Sequence, residues 1–317
     1  MDFDFFRNFS ISVDLALEAR EIVQGRTGQE IPGVRVDRET YSHASVTIVI
    51  IEDKAAESVM GKPVGTYITI EAPEISGRDP KAHHEIGLVV ARMLSRLMNL
   101  PEKSNILVVG LGNWNATPDA LGPKVVSQTM VTRHIFNYAP QELQPGMRSV
   151  SAMAPGVLGL TGIETAEVIK GVVEKIKPEL VIAIDSLAAK NVARIATTIQ
   201  IANTGVSPGS GVGNQRMGIN AETLGVPVIA IGVPIVNSLP VVSESSLPKG
   251  GIPNINKMPD NLKEFLISRL PTGYSNMNLD ERQKYLKKMR SKVEQFLETK
   301  QLGLIIEQEI IIDKSNI

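Results

Sequence analysis

The amino-acid sequence predicts an α/β fold, a mostly parallel sheet flanked by helices. Two observations carry this. From residue 104 onward, short β-branched runs alternate with helical periodicity: strand 105–111 precedes a helix near 120–136, and strand 179–184 follows a helix near 164–176. Two further runs, Thr198–Ala202 and Val226–Ile231, continue the series. Strands separated by helices are joined by crossovers, which make neighbouring strands parallel and cover both faces of the sheet.

Each element has its own signal. Leu15, Leu17, Ile22 and Val23 recur among charged residues over 15–26, a helical spacing. Ala44 to Ile51 is rich in β-branched residues, and Thr66 to Ile70 alternates. Gly61, Pro63 and Gly65 punctuate the gap between them. Residues 81–98 return to helical spacing and stop at Leu100-Pro101. Thr161-Gly-Ile-Glu164 is a capping-box pattern ahead of the helix near 164–176. Residues 238–260 are rich in Pro, Ser, Gly and Asn and read as a long loop or lid. Beyond them Leu286, Met289, Val293, Phe296 and Leu297 share a helical face whose interleaved lysines and Arg290 read as a solvated side. No repeat or low-complexity tract interrupts the chain, so residues 15–317 read as one domain.

Composition narrows the function. A formal net charge of -1 in 317 residues gives no global field for nucleic acid or an anionic membrane. With no cysteine, disulfides, thiolate metal sites and a cysteine nucleophile are excluded. The opening Met-Asp-Phe-Asp-Phe-Phe lacks a basic secretory leader, and no run is apolar for the roughly 18 residues of a membrane span. The expectation is a cytoplasmic protein with no membrane and no nucleic-acid partner.

Two acids stand out. Asp119 and Asp185 each follow a strand-like run, in Ile106–Asp119 and Leu180–Asp185, and both are read as lying just past a strand end. In an open parallel sheet such positions line one crevice, where two carboxylates can share a proton for acid–base chemistry. Either could instead be a helix N-cap. Gly110-Leu-Gly112 lacks the third glycine of a dinucleotide turn, since Asn115 takes its place. The glycine-rich loop 205–214 could cradle an anion or a carbonyl oxygen, or serve simply as a tight turn. Asn113 in the first loop and Gly209, Ser210 and Gly211 in the second are candidate substrate contacts. His83-His84-Glu85 lacks the spacing of a zinc site and reads as an exposed helix start, and His43 has no evident partner. No metal ligand set and no cofactor motif is complete.

Five segments together resemble the spore germination protease family: Val109–Pro123, Ala154–Thr165, Ile182–Ala189, Ser207–Asn214 and Glu222–Pro234. The resemblance covers roughly residues 10 to 237. It implies an endopeptidase of small acid-soluble spore proteins, acting in the spore interior during germination. It further implies a tetramer made as a zymogen, with a fold akin to hydrogenase maturation proteases. The family's two essential aspartates fall on Asp119 and Asp185, with no cofactor required. Family enzymes cut after an acidic residue and before a hydrophobic residue followed by alanine. Ser12-Val-Asp14-Leu15-Ala16 has that form, which makes Asp14–Leu15 the expected self-processing bond and residues 1–14 a propeptide. The chain departs from the family pattern at Ser186, where alanine is usual, and in its last residues, which read as a strand or tail. Two other readings stay open: a metal-dependent maturation-type peptidase on the same scaffold, and a non-catalytic module that binds a phosphorylated ligand.

Overall fold

The structure, a computed structural model, describes residues 13–101, 103–143, 146–208 and 216–237. In chain order its elements are α1 (Ala16–Thr27), β1 (Val34–Thr40), β2 (Ser45–Ile51), α2 (Lys54–Met60), β3 (Gly65–Glu71), α3 (Pro80–Leu97), β4 (Asn105–Gly110), α4 (Leu121–Gln128) and α5 (Arg133–Tyr138). There follow β5 (Ser149–Met153), α6 (Leu158–Thr161), α7 (Thr165–Ile176), β6 (Leu180–Ala189), β7 (Thr198–Ala202), α8 (Ala221–Leu224) and β8 (Val228–Asn237). The expected lid at 238–260 and the helical face at 284–297 lie outside the described residues.

The strands form one sheet in the order β1-β2-β3-β7-β8-β6-β4-β5. β8, β6, β4 and β5 pair in parallel, and the remaining neighbours pair antiparallel. All strands except β2 and β7 therefore point the same way, as the mostly parallel expectation requires. The purely parallel half carries the two aspartates. It is buried on both faces, which explains the unbroken apolar runs of β4 and β6. Ile106, Val108, Ile182 and Ile184 pack on one side in the cluster that includes Ile86, Val90, Met93 and Leu94 of α3. Leu107, Val109, Val181 and Ala183 pack on the other with Ala166, Ile169 and Val173 of α7. Among the described residues no helix is long and apolar enough to cross a membrane.

Several local expectations need correction. The single helix near 120–136 is two, because Thr132 is drawn to β5: its N–H donates to Val150 O at 3.0 Å, its hydroxyl donates to Arg148 O at 2.5 Å, and its oxygen accepts from Val150 N–H at 2.9 Å. These tertiary bonds outweigh helix continuation. The capping box does not form. Thr161 ends α6 and its oxygen accepts from Ile163 N–H, while Glu164 starts α7 without a side-chain bond. His83 is buried rather than exposed, since it lies one turn before Ile86 on the core face of α3. His43 has partners: its Nδ1 lies 2.9 Å from Glu74 and its Nε2 3.4 Å from Glu85.

Helix α4 sits directly on the end of β4 because glycine occupies both sides of the contact. A Cβ at Gly110 would collide with the Gly122 carbonyl, and one at Gly122 with Leu111 backbone and Ile184 O. Gly122→Ala is expected to cost about 1–3 kcal/mol through backbone displacement, read as a lower urea midpoint at unchanged slope.

Candidate active site

β4 and β6 separate at a defined point. Their last paired residues are Gly110 and Ile184, and Leu111 N–H then donates to Ile184 O at 2.8 Å as the chain turns away. β6 continues beside β8, with a register shift between Leu187 and Ala188. Asp185 is thus inside a strand, not past its end as expected, because pairing with β8 runs on to Ala189. It nevertheless lies just beyond the last β4 partner, where the sheet opens.

The loop after β4 is folded back on itself. Gly112 takes φ +111°, and Asn113 N–H donates to Asp119 O at 2.9 Å. A side chain at Gly112 would strike the Asp119 backbone and carboxylate, so glycine there sets the position of the acid. Neither aspartate caps a helix: the cap position of α4 is Ala120, with no side-chain bond, and Asp185 is held in β6. Asp185 Oδ1 accepts from Ser186 N–H at 2.8 Å.

Both carboxyls are pushed toward the protonated form. Asp185 is 6% exposed. Burial, together with the nearby charges of Asp119 and Asp14, raises its pKa to about 7 against the Ser186 hydrogen bond. Burial also raises the half-exposed Asp119, while the Asn113 N–H and Arg216 oppose the rise. Burial is the leading cause at both, and Asp185 is the more buried of the two.

Asp185 lines a cavity of about 210 Å³ that also includes Asp14, Lys62, Tyr67, Gln200 and Asn220. Asp14, the first residue of the expected self-processing bond, is among its lining residues. Asp14 Oδ2 accepts from Ala188 N–H at 2.8 Å. The Gln200 side chain spans the junction: its Nε2 donates to Asp14 O at 3.1 Å and its Oε1 accepts from Ala16 N–H at 2.7 Å. Leu15 is fully buried in a small cluster with Leu187 and Ala189, and Ala16 is fully buried as well. Next along the chain, Glu18 accepts from Lys190 and Asn191 N–H at 2.7 and 2.8 Å.

The structure therefore brings Asp14, Leu15 and Asp185 together and places Asp119 within electrostatic reach of Asp185. The Asn113 side chain turns into its own loop, where Oδ1 accepts from Asn115 N–H at 3.0 Å. Gly209, Ser210 and Gly211 lie outside the described residues, although Gly205, Val206 and Ser207 of that loop line the cavity. Among the described residues no cluster of three or more His, Asp or Glu side chains is placed to hold a metal ion. Sequence reasoning missed Gln200, Lys62 and Arg194. Gln200 alone left a signal, as the polar centre of the apolar run Thr198–Ala202.

Residues 14–247 match the model of the germination protease family. The chain is 55% identical over 213 residues to the germination protease of Caldanaerobacter subterraneus subsp. tengcongensis, covering 67% of this chain and 65% of that one. It is 51% identical over 216 residues to the germination protease of Clostridium perfringens, covering 68% and 66%. The match thus spans just under two thirds of the length of either relative. Among solved structures, a [NiFe] hydrogenase maturation protease from Thermococcus kodakarensis is similar at 20% identity and a TM-score of 0.29, over 45% of this chain and 80% of that one.

Proposed function

The chain belongs to the germination protease family, and from that premise we propose that it is an aspartate-dependent endopeptidase made as a self-processing zymogen. It cuts after an acidic residue and before a hydrophobic residue followed by alanine. Its substrates are the small acid-soluble proteins of the spore interior, and it works as a homotetramer. One observation carries the reading: Gln200 grips Asp14–Leu15 in the cavity that Asp185 lines.

The chemistry follows from the unequal acids. Ionised Asp119 takes a proton from water as the water oxygen adds to the Asp14 carbonyl carbon. Gln200 Nε2 already donates to the carbonyl oxygen, and protonated Asp185 is the second donor in this scheme as negative charge develops there. As the C–N bond breaks and the carbonyl re-forms, Asp185 gives its proton to the Leu15 nitrogen, residues 1–14 are released, and the proton that Asp119 took from water leaves the pair with one proton again. The buried Leu15 cluster and the enclosed Ala16 favour an apolar residue and then a small one after the cut.

Self-processing needs protonated Asp185. With its pKa raised to about 7, the protonated fraction rises by about fourfold between pH 7.5 and pH 5, and the rate is expected to follow. Intact mass and N-terminal sequencing after incubation at both pH values test this for the wild type and Asp119→Asn. Release of residues 1–14 by wild type alone, faster at pH 5, supports the proposal. An intact wild-type chain, or equal cleavage in Asp119→Asn, removes it.

A further inference from the structure

The cavity holds a cation that the dyad chemistry does not use. Lys62 follows α2 in a turn fixed at both ends. Gly61, at φ +62°, closes the helix on Glu57 O, Val64 N–H donates to the Glu57 carboxylate at 2.9 Å, and Tyr67 OH donates to Pro63 O at 2.8 Å. Lys62, partly buried, lines the cavity next to this turn. An ammonium taken partly out of water is costly unless a negative group faces it. Desolvation lowers the Lys62 pKa, and the charge that opposes this is Asp14. Lys62 and Asp14 line the same cavity, and the Asp14 carboxylate is the charge that favours the ammonium there.

We propose that Lys62 and the Ala188 N–H form a carboxylate subsite that selects an acidic residue on the N-terminal side of the cut bond. The inference rests on the reading of Asp14–Leu15 as the bond that is cleaved. It assigns the preference for acid to one side chain and one backbone donor, with the carboxylate Oδ2 on Ala188 N–H and Lys62 supplying the charge. Asparagine at the same position keeps the hydrogen bond and loses the electrostatic attraction, so charge and shape are separable.

The test uses the processed full chain and peptides reproducing residues 8–21 with Asp, Asn or Lys at position 14. Wild type is expected to favour Asp over Asn by about tenfold or more in kcat/KM, mainly through KM. Lys62→Met removes that preference and Lys62→Glu shifts it toward the Lys peptide. A purely structural role would slow all three peptides alike, and an unchanged Asp-to-Asn ratio in Lys62→Met overturns the proposal. A second measurement does not depend on hydrolysis: the Lys62 titration followed by side-chain carbon NMR in the unprocessed chain. Asp14→Asn is expected to lower the midpoint, and an unchanged midpoint overturns the subsite. Should wild type cleave no peptide while Asp14→Asn still lowers the midpoint, the protease reading falls and the carboxylate subsite stands.

Discussion

Asp185→Asn is expected to abolish self-processing, by about a thousandfold or more, and at the same time to make the protein more stable at neutral and alkaline pH. The loss follows from chemistry: an amide can neither donate nor accept a proton at the reacting carbonyl. The gain follows from burial. A carboxyl whose folded pKa lies above its unfolded value binds its proton more tightly when folded. The stability Asp185 supplies is therefore full below its ordinary value of 3.8 and is lost as pH rises through about 7. At pH 8 the wild type carries a buried negative charge facing Asp119 and Asp14, whereas asparagine fills the same space without one. The difference amounts to about 2–4 kcal/mol at pH 8 and shrinks toward pH 4. Urea denaturation of both proteins from pH 4 to pH 8 reads it directly. If the two stability curves run parallel across that range, Asp185 is not the buried proton carrier.

That behaviour was partly legible in the sequence. The apolar runs of β4 and β6 are continuous because both faces of the parallel half are covered, and that continuity marked the residues following them. That neither Asp119 nor Asp185 caps a helix was not legible. The answer lay in Gly112, which folds the loop back so that Asp119 meets Asn113 instead of the start of α4, and in β8, which extends β6 past Asp185. The edge strands were hidden for a different reason. β1 is largely charged and β5 is short and rich in serine, so each depends on a single neighbour and not on its own propensity. Gln200 is bonded to Asp14, 186 residues away, and Lys62 shares a cavity with the same residue 48 positions away, a proximity that no local spacing encodes. His83 shows the reverse case: a polar residue whose helical position placed it in the core.

Arg194→Met is expected to destabilise the fold by about 3–5 kcal/mol and to free the segment that carries the processing bond. Arg194 is 7% exposed and gathers three carboxylates: Glu18 at 3.4 Å, Glu21 at 2.7 Å and Glu71 at 2.9 Å. Glu21 and Glu71 still reach water, so their loss of a partner costs little. Glu18 does not, being 2% exposed, and without the guanidinium its charge would rest on the Lys190 and Asn191 N–H groups alone. The destabilisation should therefore be carried by Glu18, and Glu18→Gln in the Arg194→Met background should recover part of it. A double-mutant cycle in urea measures this, with a coupling above about 1 kcal/mol expected. The functional consequence runs through α1. Glu18 and Glu21 are the ties that hold this helix against the turn at Val192–Arg194, and Leu15 and Ala16 are placed by that helix. Loosening it withdraws Asp14 from Gln200 and Ala188, so self-processing should slow even where the variant remains folded. Arg194→Met that is folded, destabilised and still processed at the wild-type rate would show that the junction is held by Gln200 and Ala188, with α1 serving only as packing.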